Sequence, residues 1–355
     1  MLRKFDLFLL TLLSLPILAE SGKIYTESSI LWFSEKKQAE NSFNRYINIP
    51  TPFQKYQATC QYFQIDPQKN NVVTGKAGVR LVIEKNSFMD SKGRKVKSSV
   101  TICLREMIDP LALAFSGIGL YYHKNGKVHL FESAGMFYIS ATSKQERVYL
   151  AKQRKIEVQF PRFYYTQNFS LYRMDGNRNW QANQEKVRAV QAENEEFSDG
   201  EGSIGVWIAP IGKMGMYNFD KPQPEFACLQ GKVKLPNKNR GKHIIILVLG
   251  IDHKFINYSS LEQDSSFQID ALRQRYYKIV VLDEKGNVGV SETFRSSNKT
   301  GFSRLPEGNT NFKQKIQEIA MKALDKNVLE DPQKFRRYLG IYKDYYQINY
   351  PKKKK

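Results

Sequence analysis

The residues best equipped for chemistry are few. Histidine occurs only as His123, His129, His243 and His253. His123 and His129 flank a predicted hairpin, and Glu132 turned inward would add a third donor. A zinc site takes three or four ligands, so two histidines on a hairpin are too few and no metal is assigned. Glu106 and Glu132 are the carboxylates placed to work as an acid pair, with Asp109 close by in sequence, which is the equipment of a glycan or peptide hydrolase. Asp175-Gly176-Asn177-Arg178-Asn179 sets oxygen donors at alternate positions, as a calcium loop begins. The later glycine and bidentate glutamate are missing and Arg178 opposes a cation, so a tight turn before Trp180 is expected. There is no Gly-x-Ser-x-Gly, His-Glu-x-x-His or Gly-x-x-x-x-Gly-Lys. Ser116-Gly117-Ile118-Gly119 and Ser133-Ala134-Gly135 read as turns where backbones approach closely. No catalytic, cofactor-binding or metal residue is assigned.

Binding is better supplied than catalysis. The formal net charge is +20, a field that concentrates anionic partners. Phe160, Phe163, Tyr164, Tyr165, Phe169 and Tyr172, with Arg162 and Arg173 among them, suit glycans by stacking and charge. Their period of two fits a sandwich core better. Near the C-terminus, Arg336, Arg337, Tyr338, Tyr342, Lys343, Tyr345 and Tyr346 combine tyrosine with cations as interfaces do, and are the candidate partner-binding residues.

Strand-length apolar segments recur through most of the chain and must position any such site. Gly78 to Glu84, Ser99 to Glu106, Leu120 to Tyr122, Lys127 to Phe131, Met136 to Ala141 and Lys155 to Phe160 are each bounded by turn residues. Asp90-Ser91-Lys92-Gly93 and Lys124-Asn125-Gly126 are hairpin signals. Gln181 to Gly202, with Glu193, Glu195, Glu196, Asp199 and Glu201, reads as an acidic linker. Ser203 to Ile211 and Met214 to Phe219 then complete a first sandwich. Ala227 to Leu235, His243 to Gly250, Ser266 to Ile269, Tyr276 to Asp283 and Val288 to Thr293 make a second, transthyretin-like or immunoglobulin-like unit, with a hairpin at Glu284-Lys285-Gly286-Asn287. Apolar residues at three and four spacing predict helices over Phe312 to Leu324 and Phe335 to Tyr346, the second capped by Asp331 with Pro332 in its first turn.

The order Thr74-Gly75-Lys76-Ala77-Gly78, Asn86-Ser87-Phe88 with Asp90 and Gly93, Leu104-Arg105-Glu106, Asp109-Pro110, Ser116-Gly117-Ile118, Glu132-Ser133-Ala134-Gly135-Met136-Phe137 and Trp180 resembles a family of secreted Bacteroidetes proteins of uncharacterised role. The resemblance spans Phe63 to Trp180. Glu84-Lys85 stands where that family has prolines, Leu104 where it has tyrosine and Met216 where it has tryptophan. More distantly, the segment is similar to the β-sandwich beside death domains in ankyrins and netrin receptors. Some relatives of that sandwich cleave themselves at His-Phe-Ser, which does not occur here, so no self-cleavage is expected.

Met1-Leu2-Arg3-Lys4, an apolar run from Leu7 to Leu18 and the exit at Ala19 predict a cleaved signal peptide. The expected organisation is signal peptide 1–19, N-terminal arm 20–62, first β-sandwich 63–222 with the acidic linker near 183–202, second sandwich 223–300 and a basic helical tail 301–355. The fold class is mainly β, two antiparallel β-sandwich units followed by a short C-terminal helical region. Cys60, Cys103 and Cys228 match no metal or redox motif. In an oxidising compartment one pair can close, although three small buried residues is the simpler reading. The expected function is non-enzymatic binding or scaffolding of an envelope protein, anionic lipid or glycan, in the periplasm or at the cell surface. The association would be at most peripheral to a membrane and without nucleic acid. A hydrolase working through Glu106 and Glu132 is the alternative.

Overall fold

Alternating apolar residues and turn signals build two stacked pairs of sheets. The first pair is made of Gln61–Ile65 (β1), Asn71–Thr74 (β2), Arg80–Ile83 (β3), Phe88–Met89 (β4), Val100–Met107 (β5), Tyr121–Lys124 (β6), Lys127–Ser143 (β7), Glu146–Arg147 (β8), Tyr149–Leu150 (β9), Ile156–Pro161 (β10), Ser170–Met174 (β11), Trp180–Ala182 (β12), Arg188–Gln191 (β13), Gly205–Ile211 (β14) and Gly215–Gln223 (β15). One sheet runs β1-β5-β7-β15-β11-β12, with β6 and β8 also paired to β7. It faces a sheet of order β13-β14-β10-β3-β2, while β4 and β9 pair apart. Leu81, Ile102, Leu104, Phe137, Ile139, Val158, Phe160, Trp207 and Phe219 fill the space between them. Each such side chain contributes about 1.5–3 kcal/mol by leaving water.

The second pair follows as Phe226–Lys234 (β16), Ile244–Gly250 (β17), Ile256–Ser260 (β18), Ser266–Leu272 (β19), Tyr276–Asp283 (β20), Asn287–Val290 (β21), Phe294–Arg295 (β22), Lys313–Lys315 (β23), Ile319–Ala320 (β24) and Lys322–Ala323 (β25). One sheet runs β19-β16-β23 with β24 also on β16, and the other runs β18-β17-β20-β21-β25 with β22 on β20. Leu229, Val248, Phe267, Tyr277, Ile279 and Val281 lie in its core, together with Tyr121 and Leu130 of the β6–β7 hairpin. Among the described residues three α-helices complete the fold: Pro110–Ala114 (α1), Lys326–Glu330 (α2) and Pro332–Leu339 (α3).

The computed structural model describes residues 46–162, 169–191, 205–236, 241, 243–301 and 312–341. The predicted signal peptide, Phe163, Tyr164 and Tyr165, the acidic run from Glu193 to Glu201, and Tyr342, Lys343, Tyr345 and Tyr346 lie outside them. The chain divides into Met1–Glu40 and Asn41–Lys355, and every described residue belongs to the second unit.

The mainly β, two-sandwich expectation stands, with corrections. Lys127–Ser143 is one strand of 17 residues rather than two strands and a turn. Phe219 pairs with Gly135 and Asp220 with Ser133, so Ala134 is the extra residue of a β-bulge. Gly135 has φ +137°, and a Cβ there would lie 3.1 Å from Ile108 Cα and from Phe160 Cζ; only glycine fits. Phe312 to Leu324 contains no helix. Ile319 is buried in the second core with Ile316 packed against it, and β23 and β24 pair in parallel with β16. Tertiary burial overrides the helical spacing there. Arg188–Gln191, inside the predicted linker, is an edge strand on β14. The described part of the N-terminal arm is packed: Thr51–Tyr56 forms a 3-10 turn whose Phe53 and Tyr56 are buried, and β1 begins at Gln61. Cys60 and Cys103 form a disulfide, and only Cys228 is a free, buried thiol.

Candidate functional site

Glu106 and Glu132, the candidate acid pair, do not converge. Glu106 stands opposite Phe137 and Glu132 opposite Lys221. Five residues of strand separate them along β7, roughly 15 Å, against about 5–9.5 Å between working glycosidase carboxylates. Both are also occupied. The Glu106 carboxylate accepts from Ala77 N at 2.9 Å, Val79 N at 2.8 Å and Gln61 Nε2 at 2.6 Å, and so holds the glycine-rich turn before β3. Gly75 is required by that contact, since a Cβ there would lie 2.3 Å from Glu106 Oε2. Glu132 is 2% exposed, accepts from Gln223 Nε2 at 3.3 Å, and meets Arg275 Nη2 of the second sandwich at 3.4 Å through both oxygens. One glutamate anchors a turn and the other ties the two sandwiches together.

The histidines also separate. Tyr122 pairs with His129 and His123 with Val128, so the two imidazoles take opposite faces of the β6–β7 hairpin. Burial lowers the pKa of both, and for His129 nearby Lys124 and Lys127 lower it further. Among the described residues no group of three His, Cys, Asp or Glu is arranged to hold a metal ion. Asp175 does form a tight turn: its Oδ1 accepts from Asn177 N at 2.9 Å and Asn179 N at 2.8 Å. His253, missed as a structural centre, is fully buried between Asp252 and Tyr277, at 2.6 Å from Asp252 Oδ1 and 3.0 Å from the Tyr277 hydroxyl. Although burial raises the Asp252 carboxyl, the hydrogen bond and charge of His253 bring it below the usual range.

The partner-binding candidates that fall among the described residues sit on α3. Asp331 caps this helix by accepting from Gln333 N and Lys334 N, as expected, and Gly340 closes it in the left-handed conformation. It is no loose tail. Phe335 stacks on Tyr56 with ring centres 4.5 Å apart and also contacts Phe53 and Phe115. Arg336 reaches Asp109 Oδ1 at 2.5 Å, and that oxygen also caps α1. Tyr338 is half-buried, which raises its phenol pKa, and Arg337 alone of the three is exposed. Arg336 is therefore a structural cation, which sequence spacing does not reveal.

A cationic face that sequence reading missed lies on the second sandwich. Leu229 and Val233 of β16 point into its core, so Gln230, Lys232 and Lys234 point outward. Register sets Lys313 beside Cys228 and Lys315 beside Gln230 on the same outer face. Neighbouring strands lie about 4.8 Å apart and alternate residues about 6.6 Å, so Lys313, Lys315, Lys232 and Lys234 follow one another along roughly 20 Å of this face. None of the four forms an ion pair among the described residues. The Asp264 carboxyl, lowered mainly by hydrogen bonds from Ser266, is the acidic group that feels Lys232. Like charges side by side cost stability but build a positive potential. The period-two Lys232-Val233-Lys234 and Lys313-Gln314-Lys315 carried this signal in the sequence.

These features define a mainly β, two-sandwich protein with a cationic sheet face. No protein-family model matches the chain, and no curated protein matches it. Among the described residues no helix is long and apolar enough to cross a membrane.

Proposed function

We propose that this is an exported, non-enzymatic binding protein of the cell envelope that holds an anionic envelope component against the outer face of β16 and β23. The four lysines carry this reading, because unpaired like charges on one sheet face are an electrostatic liability unless an anion offsets them. The overall charge of +20 acts in the same direction by steering anions to the protein. No contact of Glu106 or Glu132 supports hydrolysis.

The test is co-sedimentation of the full chain with vesicles of neutral lipid and with vesicles containing anionic lipid. Binding to an anionic phase at low salt, loss on raising salt to about 0.5 M, and loss in the triple variant Lys232→Glu, Lys234→Glu, Lys315→Glu are expected. Equal binding by the triple variant refutes the reading. Deleting residues from Gln333 onward is not a clean alternative, since it removes the buried Phe335.

A further inference from the structure

A second cation is placed differently. Arg105, on β5, lies on the face of its sheet that points away from the first core, opposite Tyr138 of β7. Tyr62 of β1, two residues along and one strand over, faces the same way. The guanidinium lies 5.8 Å from the centre of the Tyr138 ring. Tyr46, Tyr62 and Tyr138 surround it: burial lowers the Arg105 pKa, and these three phenols oppose that shift in part. No carboxylate among the described residues takes part. Arg105 makes no ion pair or hydrogen bond among the described residues, and its Nε is buried without a partner. A half-buried guanidinium with neither carboxylate nor carbonyl is an expensive arrangement, because a desolvated charge normally has a counter-charge.

The outer rows around it carry hydroxyl side chains on β7 and, on β5, the buried Cys103 of the disulfide to Cys60. Ser140 and Thr142 continue the outer row of β7 beyond Tyr138, and Thr101 pairs with Thr142 across from β5. On the far side of Thr142, Arg147 of β8 lies 5.5 Å from the Tyr149 ring centre, and Tyr149 is 44% exposed. Two arginine–tyrosine pairs thus stand about four residues apart along the sheet, roughly 13 Å, with hydroxyl groups between them.

We infer that this face is a binding site for a carboxylate-bearing sugar of an acidic glycan, with Arg105 as the carboxylate receptor. A guanidinium offers two parallel N–H donors that match a carboxylate. Tyrosine presents a flat apolar ring, suited to the C–H face of a sugar, with a hydroxyl at its tip. Ser140 and Thr142 supply donors and acceptors for sugar hydroxyls. The lysine face on β16 and β23 is a separate surface, and neither site requires the other.

Isothermal titration of the full chain with an oligogalacturonate, with a neutral oligosaccharide of the same length and with oligoglutamate, at about 0.15 M salt, tests this directly. The uronate oligomer should bind and the other two should not. Tyr62→Ala alters a residue that is 63% exposed and so leaves the fold in place. That variant and Arg105→Gln should each weaken uronate binding about tenfold or more, the value of a charge-assisted contact, and Arg105→Lys should recover only part of it. The Lys232→Glu, Lys234→Glu, Lys315→Glu variant should bind the uronate as the parent does, which separates this site from the lysine face. No uronate binding, equal binding of the neutral sugar or oligoglutamate, or unchanged affinity in both Tyr62→Ala and Arg105→Gln overturns the assignment.

Discussion

Lys254 donates its ammonium to the carbonyl of Ala134 at 3.1 Å, and its own carbonyl accepts from Ser133 N at 2.9 Å. Ala134 is the residue that the β7 bulge leaves without a ladder partner, so the second sandwich satisfies backbone groups that the first exposes. Burial pushes the Lys254 pKa down to about 7, with Asp109 opposing in part. In the unfolded chain the ordinary value of 10.5 applies. Between those values the unfolded chain holds a proton that the native protein has released, so this group makes stability rise with pH from about 7 to 10.5 and adds no slope below. Urea unfolding of the parent and of Lys254→Met across pH 6 to pH 10 should show the parent gaining on the variant by on the order of a few kcal/mol as pH rises. Parallel curves would mean that Lys254 does not titrate in the fold.

Glu106 predicts a coupling. Removing its carboxylate leaves the Ala77 and Val79 amides without an acceptor, and Glu106→Ala should cost about 1–3 kcal/mol. Gly75→Ala should also destabilise the parent, because three hydrogen bonds hold the carboxylate where the new methyl would stand. In the Glu106→Ala background the same substitution meets no carboxylate, so a double-mutant cycle by urea denaturation should give a clear interaction energy. If Gly75→Ala costs the same in both backgrounds, the carboxylate is not what demands glycine.

Local signals predicted well where the local chain decides the structure. Asn125 and Gly126 take φ of 52° and 72° and join β6 to β7, and the turn after Asp283 joins β20 to β21. Asp331 and Pro332 start α3 where expected. Failures came where distant partners decide. Ser133-Ala134-Gly135 looks like a turn, but β15 and Lys254 convert it to a bulge inside a strand. Ile316 and Ile319 have helical spacing, yet β16 recruits their segment as parallel strands. Glu106 and Glu132 are equivalent in sequence, and only the fold shows one bound to backbone amides and the other to Arg275. Arg105 and Tyr62 stand 43 residues apart in the chain and become neighbours only through the β1–β5 register.

The disulfide between Cys60 and Cys103, 43 residues apart, predicts a thiol count. Burial raises the Cys228 thiol to about 12, with Asp270 adding to the shift. The native, oxidised protein should therefore label no thiol with a maleimide at pH 7. Unfolding without reductant should expose one and with reductant three. Cys60→Ser with Cys103→Ser should lose about 2–4 kcal/mol through the freer unfolded chain. A rapidly labelled thiol in the native protein would contradict this pairing.

Asp220 gives the opposite pH signature to Lys254. It is fully buried on β15, neither carboxyl oxygen has a hydrogen-bond partner, and Asn218 Nδ2 two residues earlier is also unsatisfied. The nearby Ser133 hydroxyl gives its proton to Asn218 Oδ1 at 2.8 Å. Burial holds the Asp220 pKa well above 3.8, Ser133 opposing only in part. The native protein then keeps a proton that the unfolded chain has lost, so this group's contribution is greatest below pH 3.8 and declines as pH rises through the folded value. Asp220→Asn keeps the shape and removes the ionisation, so its stability relative to the parent should improve as pH rises above about 4 in paired urea titrations. A constant difference would require an ionised carboxylate at 0% exposure with no donor, which the energetics of burial oppose.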